Sequence, residues 1–353
     1  MRNLIAILAV AGCAVTPEPR VVGDSNPLQE LIDAEGFSGA VAVVEGGTLI
    51  GAAARGWANR DSKRQNTVHT RFALASTGKL FTALAVFTLI ESGDLALDDP
   101  VGRFLPNYPN RTIREKATVE HLLSMRSGLG DIFNANYERN KHRLRAHEDF
   151  LPLFVDEPLS FQPGEGVAYS NAGYILLGLI IERVTGQDFY TSMQAQVFGP
   201  LGMTATGYDD ISKLDPNTAV GYAVEGLEGI AESPQQRGGR PLVPNTQRVT
   251  GRGTAAGGGY STLADFARLD IALREGRLIS RESVAAIFGR DLTEAVGIAG
   301  GAPGVSTAYR MLPSGRSVIV LGNQDLPSAP AIAKTVVEQL ATHSRPLVRQ
   351  DGL

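Results

Sequence analysis

The feature that most constrains the fold of this chain is an apolar segment from Ser76 to Ser92, which ends at Gly93. Hydrophobic side chains occupy every side of a helix drawn through it, so the segment predicts a helix buried in the interior. The glycine is typical of a helix carboxyl terminus. A chain of 353 residues, 43% hydrophobic and 20% charged, is long enough to build the large core that such a helix requires.

Strand patterns lie toward the two ends of the chain. The apolar runs 39–44 and 48–53 are joined by Glu45-Gly46-Gly47, a turn sequence typical of an antiparallel hairpin. Two late runs, 293–299 and 317–322, predict further strands, and a closing helix is expected at 329–342. The sheet is therefore expected to draw its strands from both ends of the chain.

The middle of the chain is helical and rich in loops. Helices are expected at 118–125, 147–155, 173–184, 189–197, 262–274 and 280–288. The stretch 233–245, rich in Gly, Pro and Gln, predicts a long surface loop. Together these patterns predict an α+β fold of sandwich type, an antiparallel sheet flanked by helices with a mostly helical region inserted. We expect one domain over 27–345, with sheet regions at 27–75 and 255–345 and the helical region at 76–254.

The amino terminus has the pattern of an export signal. Arg2 precedes an apolar run, 4–10, and small residues follow, so residues 1–13 predict a lipoprotein-type signal peptide that is too short to span a bilayer. Val10-Ala-Gly-Cys13 resembles the lipobox of bacterial lipoproteins, and Cys13, the only cysteine, is the expected lipid attachment site. Residues 14–26 would then be a tether to the membrane on the exported, periplasmic side. The alternatives are ordinary secretory cleavage and a cysteine that stands there by chance.

Charge and histidine spacing argue against several kinds of partner. A formal net charge of −4 gives no long-range attraction to nucleic acid. The basic cluster 139–145 is expected to be a solvated surface segment, with an anion or membrane-headgroup contact as the alternative. The five histidines show no metal-ligand spacing, and the sequence has no Gly-x-Ser-x-Gly of a Ser-His-Asp hydrolase. We expect no metal and no cofactor, and the sequence is silent on oligomeric state.

Ser76 and Lys79 form a Ser-x-x-Lys pattern at the start of the apolar helix, where residues i and i+3 share a face. Serine needs a neighbouring base to act as a nucleophile, and a lysine surrounded by residues such as Leu80 and Phe81 loses its proton more easily. The first amides of a helix also stabilise negative charge on an acylated carbonyl. A serine helix cap followed by an exposed lysine is the alternative, and the pattern alone does not decide between them.

Two further elements favour the catalytic interpretation. Tyr169-Ser-Asn171 precedes a helical segment, and a tyrosine hydroxyl can relay a proton while an asparagine can hold both a lysine and a substrate amide. The alternative without catalysis is that Asn171 caps the next helix and that the Tyr169 ring only packs against neighbouring side chains. The run 297–304 is rich in glycine, so a strand there can approach a substrate and supply a backbone N–H to an oxyanion hole. Without that role the run is a turn between strands.

In the order of these motifs, the chain resembles the family of class C β-lactamases and D-alanyl-D-alanine carboxypeptidases, which also includes esterases. Other matching segments are Phe37-Ser-Gly-Ala-Val41, Leu97-Asp-Asp-Pro-Val101, His121-Leu-Leu-Ser-Met-Arg-Ser-Gly-Leu129, Pro200-Leu-Gly-Met203 and Gly258-Gly-Tyr-Ser-Thr262. The resemblance extends from Phe37 to about Gln324. It implies a β-lactamase/transpeptidase-like catalytic domain with the active site between the sheet and the helical region.

The resemblance also implies roles for six residues: Ser76 as nucleophile, Lys79 as base, Tyr169 as proton relay, Asn171, Gly300 and Gly301 as substrate contacts. The Gly301 N–H would lie beside that of Ser76 in the oxyanion hole. The expected reaction is hydrolysis of an ester, amide or β-lactam bond in a small-molecule or peptide acyl substrate, through an acyl-Ser76 intermediate. The alternative is a non-hydrolytic penicillin-binding or ligand-sensing lipoprotein.

The third motif departs from the family pattern. Most relatives carry lysine or histidine where this chain has Ile298, and Ala299 stands where a small polar residue is common. A charge-assisted hydrogen bond is worth roughly 1.5–3 kcal/mol, or about 10- to 150-fold in rate. We therefore expect weaker recognition of carboxylate-bearing substrates such as penicillins, and esterase or peptidase activity ahead of efficient β-lactam hydrolysis. The interval 259–298 also looks short for the family, so one strand or hairpin beside 293–299 is expected to be missing.

Overall fold

The computed structural model describes residues 26–342. The expected signal peptide with Cys13, and the tether up to residue 25, lie outside the described residues. The strands are β1 (Gly39–Glu45), β2 (Thr48–Arg55), β3 (Trp57–Asn59), β4 (Arg64–Gln65), β5 (Phe72–Ala73), β6 (Tyr222–Val224), β7 (Leu242–Pro244), β8 (Tyr260–Ser261), β9 (Val296–Ala302), β10 (Val305–Met311) and β11 (Arg316–Gly322).

The α-helices, in chain order, are α1 (Pro27–Ala34), α2 (Lys79–Glu91), α3 (Val101–Phe104), α4 (Arg111–Lys116), α5 (Val119–Leu123), α6 (Ala135–Asn140), α7 (Asn171–Thr185), α8 (Phe189–Met193), α9 (Pro234–Arg237), α10 (Leu263–Glu275), α11 (Arg281–Phe288) and α12 (Ala329–Thr342). Between residues 26 and 342, no helix is both long and apolar enough to cross a membrane.

Five strands form one antiparallel sheet in the order β2-β1-β11-β10-β9. β1 pairs with β11 along its whole length, from Gly39 opposite Gly322 to Glu45 opposite Arg316. β2 covers the other edge of β1 through the expected hairpin. Strands from the two ends of the described chain are therefore neighbours, and the predicted α+β fold with a sheet built from both ends is confirmed.

β9 is the edge strand of this sheet, and no strand forms between Ser261 and Val296. On its inner side lies β10, at positions where the sequence patterns predict no strand. β10 pairs with β9, from Val305 opposite Ala302 to Met311 opposite Val296, and separates it from β11. Every residue of β10 except Arg310 is buried, so the strand has neither the alternation of a half-buried strand nor a clean apolar run. Its buried polar residues find partners inside the fold, as the Thr307 hydroxyl does by donating to the Leu74 carbonyl at 2.9 Å.

Helix α2 is the buried helix that the sequence predicts. All its residues from Lys79 to Phe87 are buried, and it contacts α7, α8 and α11. The ring centroid of Phe81 lies 5.1 Å from that of Phe198 and 6.1 Å from that of Phe266. The helix therefore lies in the main core, which it shares with the inner face of the sheet. Helices α1 and α12 cover the other face in a second, smaller core.

Two local expectations need correction. The predicted loop 233–245 contains helix α9 and strand β7, which pairs with β6. In the basic cluster 139–145, Lys141 is buried and forms an ion pair of 2.6 Å with Glu138. Arg139, His142 and Arg143 are exposed, as expected for a solvated segment, so the correction concerns Lys141 alone. The aliphatic stem of a lysine is readily buried while its head pairs with an acid.

Replacement of the central aromatic ring tests the position of α2. Phe81→Ala removes a ring that is 1% exposed, and we expect it to lower the free energy of unfolding by about 3–5 kcal/mol. Phe133→Ala, at a ring that is 61% exposed, is the matched control, with an expected change within about 0.5 kcal/mol. Urea unfolding followed by circular dichroism measures both. Equal stability of the two variants would contradict a core position for Phe81.

Candidate active site

Ser76 lies in a 3-10 turn, Ala75–Gly78, that leads directly into α2. Ala75 has a φ of 47°, in the left-handed region that residues with a Cβ rarely adopt. Its carbonyl oxygen accepts a hydrogen bond of 2.8 Å from the Gly258 amide. A Cβ at Gly257 would lie 2.7 Å from that carbonyl oxygen and 3.2 Å from Ser76 Cα. Close backbone contact with the glycine segment 257–259 therefore holds the strained turn that presents Ser76.

Gly300 marks where β9 meets the same turn from the other side. A Cβ there would lie 2.5 Å from the Leu74 carbonyl oxygen and 2.6 Å from the Thr77 amide nitrogen. Only glycine allows the strand to come this close. Gly301, by contrast, borders the cleft over Ser76. Of the two glycines expected to contact substrate, the structure brings Gly301 to the cleft and packs Gly300 against the turn.

The Ser-x-x-Lys and Tyr-x-Asn motifs form one connected network. Ser76 Oγ lies 2.6 Å from the Tyr169 hydroxyl and 3.4 Å from Lys79 Nζ. Lys79 Nζ donates to Asn171 Oδ1 at 2.6 Å and also to the Ala256 carbonyl oxygen. The structure therefore brings together the expected nucleophile, base, proton relay and substrate contact.

Burial sets the protonation states of the expected base, Lys79, and the expected proton relay, Tyr169. Burial lowers the pKa of Lys79 to about 7, against the charge of Asp131, which raises it. A large fraction of Lys79 is then neutral near pH 7 and can accept a proton. Burial also raises the pKa of Tyr169 above its usual value, so this side chain is a neutral phenol. Lys79 is thus suited to act as the base and Tyr169 to pass a proton along.

Ser170, rather than Asn171, caps helix α7. Its Oγ accepts a hydrogen bond from the Gly173 amide at 3.0 Å, so the capping alternative for Asn171 is wrong. Asn171 is the first residue of the helix and only 5% exposed. Its Nδ2 donates to Asp131 Oδ1 at 2.8 Å. Sequence reasoning missed Asp131, whose one signal was its place two residues after the matching segment that ends at Leu129.

A cleft with a volume of about 540 Å³ opens over Ser76. Its wall includes the apolar side chains Ile132, Phe133, Tyr137, Phe150, Leu214, Ile230 and Val305. Phe133 and Ile230 are among the exposed large hydrophobic residues of the described chain, with 61% and 37% of their surface exposed. An apolar wall with exposed hydrophobic residues favours binding of an apolar group next to the nucleophile.

Ile298, which stands where most relatives have a cation, lies opposite Tyr309 in the sheet and packs against the main core.

Two arginines, Arg248 and Arg252, line the cleft. The Arg252 guanidinium lies 3.3 Å from the centroid of the Tyr190 ring and donates to the Tyr208 carbonyl oxygen at 2.7 Å, so it is engaged in the fold. Arg248 Nη1 is buried without a hydrogen-bond partner among residues 26–342. In that part of the chain, no three His, Cys, Asp or Glu side chains are grouped as a metal site.

Comparison with known proteins identifies the family. Residues 28–343 match the family model described as Beta-lactamase. The chain belongs to the Beta-lactamase family. The resemblance seen in its motifs is thereby confirmed, together with the serine hydrolase class and the fold that it implied.

Three known proteins illustrate the range of similarity. A penicillin-binding protein of Bacillus subtilis (strain 168) is 33% identical over 261 residues, which are 71% of this chain and 55% of that protein. Esterase EstB of Burkholderia gladioli is 38% identical over 184 residues, 48% of this chain and 47% of the esterase. The crystal structure of a penicillin-binding protein from Bacillus halodurans has a TM-score of 0.78 and 30% identity, covering 90% of this chain and 99% of that one. This chain thus spans about half the length of the first two.

A pair of glycine substitutions tests the contact between β9 and the nucleophile turn. In Gly300→Ala the new methyl meets backbone atoms, so the strand or the turn must move, and a displacement near 1 Å costs on the order of 100-fold in activity. In Gly301→Ala the methyl meets only the flexible Ile230 side chain at 3.1 Å and the amide is kept, so a much smaller loss is expected. Turnover of a p-nitrophenyl ester compares the two. Equal losses would contradict a special role for Gly300.

Proposed function

We propose that this Beta-lactamase family member hydrolyses esters or neutral amides with apolar acyl groups through an acyl-Ser76 intermediate. The observation that carries the proposal is the network of Ser76, Tyr169 and a buried Lys79 beneath an apolar cleft. The similarity to EstB, itself an esterase, supports it.

In the proposed reaction, the proton of Ser76 Oγ moves to neutral Lys79, either directly or through Tyr169, whose hydroxyl is the nearer partner. Ser76 Oγ bonds to the acyl carbon, and the oxyanion faces the amides of Ser76 and Gly301. The bond to the leaving group breaks as the proton returns to the leaving atom through Tyr169. In the second half, a water molecule gives a proton to Lys79 and its oxygen bonds to the acyl carbon. The bond between that carbon and Ser76 Oγ then breaks, and the proton passes to Ser76 Oγ, so that the carboxylic acid leaves and Ser76 is restored.

Two features of the cleft support esters and neutral amides over β-lactams. The apolar wall binds an apolar group without need of a countercharge. At the start of the third motif, Ile298 contributes an apolar side chain to the core, where most relatives have a cation for a substrate carboxylate. Efficient penicillin hydrolysis is therefore not part of the proposal.

The proposal is tested with p-nitrophenyl esters, a chromogenic cephalosporin and D-amino-acid amides as substrates. Ester turnover is expected to exceed cephalosporin turnover and to fall about 10⁴-fold or more in Ser76→Ala. A fluorophosphonate probe should label wild type and not the variant. Turnover unchanged in Ser76→Ala would refute the proposal, whereas stable labelling without turnover would support the non-hydrolytic alternative.

The pKa of Lys79 predicts the acid side of the pH profile. The base must be neutral, so activity is lost as pH falls through its pKa of about 7. We expect kcat/KM for an ester to rise about tenfold per pH unit below pH 7 and to level off above it. Measurement from pH 5 to 9 checks this. A profile flat from pH 5 to 8 would contradict Lys79 as the base.

A second candidate substrate is an amide or ester that bears a carboxylate. The observation in its favour is Arg248, whose buried Nη1 has no hydrogen-bond partner among residues 26–342, although its charge also acts on Asp325. A guanidinium in the cleft can bind a carboxylate by two parallel hydrogen bonds. If this candidate holds, Arg248→Gln raises KM at least about tenfold for carboxylate-bearing substrates and leaves neutral esters unchanged. An equal effect on both classes would argue against it.

We further propose that Cys13 carries a lipid that holds the protein on the periplasmic side of the membrane. The Val-Ala-Gly-Cys13 sequence behind an apolar run supports this. A labelled fatty acid should be incorporated by wild type and not by Cys13→Ala. Incorporation that persists in the variant would refute the proposal.

A further inference from the structure

Asp131 lies where the loop before α6 meets the amino end of α7. The Ser170 hydroxyl donates to the Gly130 carbonyl oxygen at 2.9 Å, and Asn171 Nδ2 donates to Asp131 Oδ1 at 2.8 Å. The same carboxylate oxygen accepts from the Ile132 amide at 2.7 Å. Asp131 is exposed, but the Asn171 Nδ2 and Ile132 amide donors fix its Oδ1.

We propose that Asp131 is a positioning residue, whose carboxylate orients the Asn171 carboxamide so that its oxygen faces Lys79 and whose charge acts on Lys79 across that amide. The inference rests on the proposed function of the Ser76 site. Neither the family match nor the sequence motifs assign Asp131 a role.

The orientation of the Asn171 carboxamide follows from the hydrogen-bonding groups on its two sides, the Asp131 carboxylate and the Lys79 amine. A carboxylate only accepts hydrogen bonds, so Asp131 must be met by the NH₂ end of the Asn171 carboxamide. That leaves Oδ1 toward Lys79, which it accepts from at 2.6 Å. The reversed amide would place its oxygen against the Asp131 carboxylate, where neither group has a hydrogen to donate, so that bond would be lost. Within residues 26–342, Asp131 is the one acceptor that Asn171 Nδ2 meets, so its second hydrogen can meet a substrate carbonyl, as the resemblance implies for Asn171.

The charge of Asp131 opposes the effect of burial on Lys79. Facing Lys79 are the rings of Tyr169 and Tyr174, at 4.8 and 5.4 Å from Nζ, the Asn171 amide and the Ala256 carbonyl. Burial raises the pKa of both tyrosines, which are therefore neutral. The charged groups that line the cleft farther out are Glu138, Asp209, Glu232, Arg248 and Arg252.

The negative charge of Asp131 raises the pKa of Lys79, which burial alone would lower further. A base is most effective with a pKa close to the working pH, because it is then both available and strong. Asp131 thus keeps the lysine basic enough to remove the serine proton.

Two substitutions separate the charge from the orientation. Asp131→Asn removes the charge but keeps an oxygen that can accept from Asn171, so the titration midpoint of Lys79 should move to lower pH by about half a unit to one unit, with the plateau of kcat nearly kept. Asp131→Ala removes both, so the midpoint should move similarly and the plateau should fall about tenfold or more as Asn171 turns. Asp156→Asn, at an exposed acid outside the site, is the charge-matched control, with neither value changed.

The midpoint is measured in two ways, from the pH profile of ester turnover and from NMR titration of ¹³C-labelled lysine, with the Lys79 signal assigned by Lys79→Arg. The NMR titration does not need turnover, so failure of the proposed reaction and failure of this inference are distinguishable. An unchanged Lys79 midpoint in Asp131→Asn would overturn the role of the charge. A full plateau in Asp131→Ala, with unfolding unchanged, would overturn the orienting role.

Discussion

Burial of the Lys79 side chain is the constraint on which the rest of the site depends. Water solvates an ammonium group far better than a protein interior does. A lysine that is 4% exposed therefore needs groups in the interior that accept hydrogen bonds from it. The Asn171 carboxamide and the Ala256 carbonyl oxygen are those groups. Each comes from a different part of the chain, so the fold must bring α2, α7 and the segment before β8 together before Lys79 can be buried.

The same packing positions the nucleophile. Thr82, one turn along α2 from Lys79, donates to the Ala255 carbonyl oxygen at 2.8 Å and fixes the helix against the glycine segment. That segment then supports the left-handed Ala75, and β9 closes on the turn where Gly300 leaves room. A strained backbone of this kind persists only when its surroundings determine it from several sides. The position of Ser76 thus follows from contacts that contain no catalytic group.

Sequence reasoning reached the features that are local or carried by side-chain chemistry. The buried helix, the hairpin and the four polar residues of the network follow from periodicity, turn residues and motif order. It missed β10, because a central strand that buries Ser306 and Thr307 lacks any regular pattern. It missed Asp131 and placed Gly300 in the substrate site, because both roles depend on contacts between segments that are distant in the sequence: a side-chain contact for Asp131 and a backbone contact for Gly300. Such contacts leave no periodic signal.

The central claim, that the buried lysine activates Ser76 for covalent catalysis, is tested most directly by mass spectrometry of the protein quenched during ester turnover. The account predicts that the peptide containing Ser76 gains the mass of the acyl group in wild type. It also predicts that the acylation rate falls about 10³-fold or more in Lys79→Ala, a variant that keeps the serine. Turnover without an acylated Ser76, or acylation at an unchanged rate in Lys79→Ala, would contradict it.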